Sequence, residues 1–373
     1  MVAEGFIARK LKFQGNVAAI AIAVSFFVII VAVAVSSGFR HSIKKGVAAM
    51  VGDIRISPLS SGAEDPPPIP AALDGADEIL ALPGVREIRP VAMKAGIVKN
   101  GETVHGVIVK GIPSADTSAL SVSIPHRLSE ITGLGEGDSM TTYFIGEKVR
   151  VRKFRISAVH RDVIELDDNL LVYARIEDMQ RLMGWDADEV SCQEVLLSEN
   201  ADADALEARI GQLTDYYVSS SRRTYPQVFD WLNLLDLNVA VILVLMAIVA
   251  GFNMVSGLLV MLLRNISTIG TLKTMGMADG AIGRLFVRIG AEAVLKGMLA
   301  GNAAALLFCL IQGTTHLIPL DPANYFVSWV PVHVNLLWIL AADAAAFVII
   351  LAMLWLPARV VSRVDPAKTV KAD

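Results

Sequence analysis

Four long apolar runs limit this chain more than any other feature. They fall at residues 17–36, 236–263, 290–311 and 336–357. A helix needs roughly 20 apolar residues to cross a bilayer core of about 30 Å. In lipid the backbone must satisfy its own hydrogen bonds, so runs of this length become helices. The expected architecture is membrane α-helical with four transmembrane helices. Hydrophobic residues make up 54% of the chain, more than an ordinary soluble enzyme carries, and the excess sits in these four blocks.

The first run follows Arg9, Lys10 and Lys12, and Ala32-Val33-Ala34 resembles a cleavage site. Its apolar stretch is longer than the roughly 7–15 residues of a secretory h-region. An uncleaved first span is therefore expected.

Basic residues set the orientation. Residues 1–16 carry Arg9, Lys10 and Lys12, the loop 264–289 carries Arg264, Lys273, Arg284 and Arg288, and the tail 358–373 carries Arg359, Arg363, Lys368 and Lys371. These three segments are expected on the cytoplasmic side. Residues 37–235 hold 29 of the 37 acidic residues and are expected outside, as is the short loop 312–335. The formal net charge of −4 averages a basic inner rim and an acidic exterior, and no basic patch calls for nucleic acid.

The inserted segment 37–235 reads as an α+β domain. "EDPPPIP" (64–70) is a Pro-rich break that cannot lie inside a helix. "LDGADEILALPGV" (73–85) predicts a short helix ended by Pro83-Gly84. "AGIVKN" and "VHGVIVKGI" flank Asn100-Gly101, which predicts a hairpin with a type I′ turn. "EKVRVRKFRISAVH" (147–160) alternates with period two, as one strand or a pair would. "EDMQRLMG" and "DADALEARIGQL" have helical spacing. At about 200 residues the domain is long enough for its own core. Cys192 and Cys309 lie in different regions, so mutual pairing is not expected.

Catalytic signatures are missing. "GLGEGD" (133–138) departs from G-x-G-x-x-G at Asp138 and reads as a turn, and the chain has no G-x-x-x-x-G-K-[ST]. The six histidines lack zinc-ligand spacing. Asp162, Glu165, Asp167 and Asp168 do not form a calcium-loop pattern and read as a solvated turn. No catalytic residue, metal site or bound cofactor is expected of this chain.

Polar residues inside spans are costly and therefore informative. Glu292 and Lys296 stand four apart, a spacing at which they would pair on one helix face. Asp343 has no sequence-local partner and is expected to face protein or a wet cavity. Gly297 and Gly301 form a G-x-x-x-G, which suits either a tight contact within one subunit or a dimer seam. Asn253, with Ser256 and Gly257, forms a second small and polar stripe. Between the second and third spans, "LLRNISTIGTLKTMGM" (262–277) repeats Ile266, Ile269, Leu272 and Met275 every three residues, with Arg264 and Lys273 elsewhere on the wheel. It predicts a short amphipathic helix ending at Gly276. Such a helix either lies on the headgroups or docks into a cytosolic partner.

On these residues the chain resembles the bacterial ABC-transporter permeases of the FtsX/MacB superfamily, particularly the lipoprotein-releasing (Lol-type) permeases. One span, a large external domain and three more spans is that family's layout. "RNISTIGTLKTMGM" resembles its I-G-x-L-K-x-x-G-M segment, "LPGVREIRPVAMKAGIVKNGETVHGVIVKGI" its external pattern, and "LPARVVSRVDPAKTVK" its tail. Where many members have Glu before the Ile-Gly, this chain has Thr268. The resemblance implies a permease subunit of a multi-pass bacterial inner-membrane transporter that extracts lipoproteins for a periplasmic carrier. It implies a dimer with a second copy or a paralogue, and two copies of a separate ATPase that hold ATP and Mg. It further implies that Ile266, Ile269, Leu272 and Met275 pack on the ATPase as a coupling helix, with Arg264 and Lys273 at the rim. The alternatives are a MacB-like exporter of peptides, antibiotics or amphiphiles, and an FtsX-like regulator of cell-wall hydrolases.

Overall fold

A computed structural model describes residues 16–59, 66–113, 118–146, 149–161, 170–199 and 201–362. Arg9, Lys10 and Lys12, the acidic residues Asp162, Glu165, Asp167 and Asp168, and Arg363, Lys368 and Lys371 of the tail lie outside the described residues. The chain divides into a helical unit (Met1–His41, Trp231–Pro319, Trp329–Asp373) and an α+β unit (Ser42–Asp230, Leu320–Ser328).

Four long helices, Asn16–Val51, Pro226–Arg264, Asp279–Thr315 and Leu336–Ser362, each contain a stretch long and apolar enough to cross a membrane. They are longer than the apolar windows predict. The first runs on to Val51, the second begins at Pro226, and the third begins at Asp279 rather than Gly290. At 1.5 Å per residue the 36-residue first helix and 39-residue second helix extend about 54 and 58 Å, well past a hydrocarbon core of about 30 Å. Residues at the end of the first helix and the start of the second must therefore lie outside lipid.

The helical unit is held by a cluster that draws on all four helices: Ile22, Phe26 and Ile29, then Met254 and Leu258, then Phe286 and Val294, then Ile350 and Leu354. The G-x-x-x-G packs directly against the first helix. A Cβ on Gly297 would come within 2.6 Å of Ile22 Cγ2, and one on Gly301 within 3.0 Å of Phe26 Cβ. Both neighbours lie on the first helix of the same chain. The motif therefore serves a contact within one subunit, because only a hydrogen fits between those two backbones.

The α+β unit is built on β1 (Ile54–Ser57), β2 (Ile69–Pro70), β3 (Val85–Asn100), β4 (Thr103–Ile112), β5 (Ser121–Pro125), β6 (Ser139–Phe144), β7 (Arg150–His160), β8 (Leu170–Arg175), β9 (Glu189–Val190), β10 (Cys192–Leu197) and β11 (Tyr217–Ser220). All but β2 and β9 join one sheet in the order β11-β1-β10-β3-β4-β8-β5-β7-β6, and β6 also pairs with β3. Long β3 makes this closure possible: its first half pairs β10, and its second half pairs β4 and β6. The side β3-β4-β8-β5-β7-β6 thus curls into a ring, while β11 is left as an edge. Short helices Ala76–Leu80, Ile176–Met183 and Ala203–Ile210 form where helical spacing predicts them. The core runs through Val107, Val109, Val122, Ile156, Val172 and Val195.

The β3–β4 turn is one residue later than predicted. Asn100 pairs with Thr103, so Gly101 and Glu102 are the central residues, and Gly101 takes φ +60°. Among non-glycine residues with positive φ, Glu102 is absent, which fits a type II′ rather than a type I′ turn. "GLGEGD" is a turn, with the Gly137 amide donating to the Ile156 carbonyl and the Gly135 amide to Asp138 Oδ2.

The first long helix ends on the sheet. Gly52 adopts φ +75° and donates to the Ala48 carbonyl, and Asp53 then turns the chain into β1. Lys110 of β4 points at this end. Its Nζ donates to the carbonyls of Ala49 (3.1 Å) and Met50 (2.8 Å) and lies 2.7 Å from Glu194 Oε1 of β10. Arg89 of β3 donates to Glu194 Oε2 at 2.6 Å. Burial pushes the Lys110 ammonium below the ordinary lysine range, and the Glu194 carboxylate opposes that shift.

Neighbouring Cys192 is buried and unbridged, and burial pushes its thiol up to about 11. At pH 8 only about one thiol in a thousand is then ionised, and the thiolate is the reactive form. Intact-mass measurement should find Cys192 unmodified by N-ethylmaleimide in the folded protein at pH 8 and modified once the protein is unfolded.

Candidate functional site

The segment between the second and third long helices is itself helical over Ile266–Thr274. Its start is a break at Asn265, whose side-chain amide donates to the Met261 carbonyl at 2.8 Å. Its end has the hydrogen bonds of a Schellman motif. The Gly276 amide donates to Lys273 and the Met277 amide to Leu272, with Gly276 at φ +88°. The stop at Gly276 is the one its sequence predicts.

The every-third-residue row does not form one docking face. Ile269 is 2% exposed and belongs to the cluster that holds Met261, Leu262, Ile282, Leu285 and Phe286. Ile266 and Leu272 are half-buried, whereas Met275 is 78% exposed. A period of three drifts around a helix of 3.6 residues per turn, so the row is deepest at Ile269 and ends outward at Met275. The exposed face instead presents Thr268, Thr271 and Met275, spaced i, i+3, i+7. Thr271 donates its hydroxyl to the Ser267 carbonyl at 3.0 Å. Of the two expected rim cations, Arg264 is exposed, but Lys273 folds back to Asp279 at 2.9 Å and is only 10% exposed. Asp279 opens the third long helix, where a carboxylate also suits the helix dipole.

The polar residues of the bundle are arranged differently from their sequence spacing. Glu292 pairs with Arg288 one turn earlier, at 3.9 Å, rather than with Lys296, which is exposed. Asn253 is half-buried. Asp343, 5% exposed, has a partner that sequence reading missed: Asn302 of the third helix donates its amide to Asp343 Oδ2 at 2.6 Å. An Asn one residue past the G-x-x-x-G was the available signal, since a polar side chain inside a span needs a partner. No local spacing could link positions 302 and 343.

Residues 16–213 match the family model of the MacB-like periplasmic core domain, and residues 240–366 match that of the FtsX-like permease C-terminal. The chain belongs to the MacB-like periplasmic core domain family. It is an ABC-type permease of the inner membrane, and its α+β unit is periplasmic. The permease is similar to the lipoprotein-releasing system transmembrane protein LolC of Xylella fastidiosa, at 22% identity over 99% of this chain and 95% of that one. It is likewise similar to LolE of Haemophilus influenzae, at 24% identity over 95% of this chain and 93% of that one. The macrolide export ATP-binding/permease protein MacB 1/2 of Paracoccus denitrificans is 25% identical over 75% of this chain and 42% of that one.

Removing one partner of a buried polar pair leaves the other unsatisfied, at a cost of about 1–3 kcal/mol. Asn302→Leu should therefore lower the melting temperature of the detergent-solubilised permease, and Asp343→Leu in the same chain should restore most of the loss. A double-mutant cycle on thermal melts checks the coupling.

Proposed function

We propose that this permease is the membrane subunit of an ATP-driven transporter that takes lipoproteins from the inner membrane and hands them to a periplasmic carrier. The observation that carries this reading is the similarity to LolC and LolE over nearly the whole of both chains, through the periplasmic domain and the membrane part alike. ATP hydrolysis belongs to a separate cytoplasmic ATPase, consistent with the missing P-loop in these 373 residues. Two ATPase copies serve a dimer of permease chains. The positive-inside bias supports a cytoplasmic location for both termini and the loop 264–289.

In this reading the loop helix is where the ATPase docks. Its contact face is Thr268, Thr271 and Met275, with Arg264 beside it, and Ile269 fastens the helix to the permease's own bundle. Domain closure in the ATPase then moves the first and second long helices, which continue beyond lipid toward the periplasmic domain. MacB-like export of amphiphiles is the second reading, favoured by the similarity to MacB.

Met275→Asp should cut co-purification of the ATPase at least tenfold while leaving the melting temperature unchanged. Ile269→Asp should lower the melting temperature, because it buries an unpaired carboxylate. Depletion tests the substrate: lipoproteins should accumulate in the inner membrane, whereas normal outer-membrane delivery with raised sensitivity to amphiphiles would select the exporter.

A further inference from the structure

A buried lysine completes the end of the first long helix. The last carbonyls of any helix have no intrahelical donor. Here those of Ala49 and Met50 are met by Lys110 Nζ, from a strand more than fifty residues downstream. Lys110 and Glu194 both have fully buried side chains, and Arg89 shares Glu194 Oε2 with Lys110. Packing at this point leaves no slack. Gly52 must take a positive φ, and a Cβ there would lie 2.9 Å from Glu194 Cβ.

The next residue extends the same joint. Asp53 Oδ2 accepts from the Leu197 amide of β10 at 2.8 Å, while its carbonyl accepts from the Ser221 amide at 2.8 Å. Ser221 begins the four-residue helix Ser221–Thr224 that precedes the second long helix. β1 and β11 pair directly, Ile54 opposite Ser220. Both long helices are therefore tied to one edge of the sheet, β10-β1-β11, through residues that touch each other.

A buried ion pair is weak support for stability alone, because apolar replacements of similar volume are often as stable. What it adds is geometry. Three donors on one ammonium, aimed at two carbonyls and a carboxylate, fix both the position and the rotation of a helix end, which apolar contact does not. We propose that the Lys110–Glu194 pair is the joint through which displacement of the first long helix is transmitted to the periplasmic sheet, with both residues acting as positioning residues. This deepens the transport reading above and rests on it only for the consequence to transport.

The test uses full-length permease in membranes, spin-labelled at exposed Lys45 near the helix end and exposed Glu87 on β3. The wild-type chain should give one narrow distance distribution. The apolar pair K110M/E194L leaves the Ala49 and Met50 carbonyls without their donor, so it should melt lower than wild type while staying folded, and should at least double the width of that distribution, whereas K110R should keep the narrow one. In cells depleted of the native protein, K110M/E194L should retain ATPase co-purification but lose lipoprotein release at least tenfold. A distribution unchanged in K110M/E194L overturns the joint, whatever the substrate is. If that variant fails to fold, K110Q serves in its place, with an unchanged width again overturning the joint. Wild-type chain that restores no release to depleted cells would instead overturn the transport reading and leave the width measurement standing.

Discussion

A helix that leaves lipid and ends on a sheet carries unsatisfied carbonyls into a dry interface, and the periplasmic domain is organised around meeting them. Hydrogen bonds must be found for buried backbone groups, because each one left open costs free energy comparable to a lost bond. Lys110 supplies donors to Ala49 and Met50, Glu194 offsets the cost of burying that charge, and Gly52 lets the backbone pass beneath. β10 and β4, which flank β3 in the sheet, bring the two charges to the helix end. Arg89, on the long strand β3, joins this centre to the ring formed with β6.

The helical unit solves a related problem with smaller atoms. Lipid offers no hydrophobic drive for helices to associate, so close backbone approach and interhelical hydrogen bonds carry more of the work. Gly297 and Gly301 let the third helix lie against Ile22 and Phe26 of the first, and Asn302 bonds to Asp343 of the fourth. Fewer than two turns of the third helix therefore hold two different neighbours. The loop helix is fastened to this assembly by Ile269 and by the Lys273–Asp279 ion pair. Fastening of this kind is what a helix needs if a push on its outer face is to move the spans behind it.

Much of this was legible in the sequence because the signals are local. Four apolar runs, a Gly at the end of the loop helix, alternation through residues 150–160 and helical spacing in the short flanking helices each depend on neighbours within a turn or a strand. Legibility failed where local spacing left more than one arrangement open, or where a partner lies far along the chain. Glu292 and Lys296 have the spacing of a pair, but Arg288 competes at the same spacing on the other side, and Glu292 takes it. The row Ile266, Ile269, Leu272, Met275 looked like one face only because a period of three is close to 3.6. In the folded chain it winds from half-buried Ile266 through buried Ile269 to exposed Met275.

By itself the sequence determined what lipid demands of any chain: the number of spans, the helical state of each, and an α+β insertion between the first and second. Those follow from composition and period, which act over tens of residues at most. The tertiary structure alone decided which charged and polar groups meet. Lys110 finds Glu194 across 84 positions and Asn302 finds Asp343 across 41. A buried charge or amide has no local preference for its partner; it accepts whichever complementary group the packed backbone delivers, and that backbone is set by the closure of β3 onto β6 and by the glycine contact between two helices.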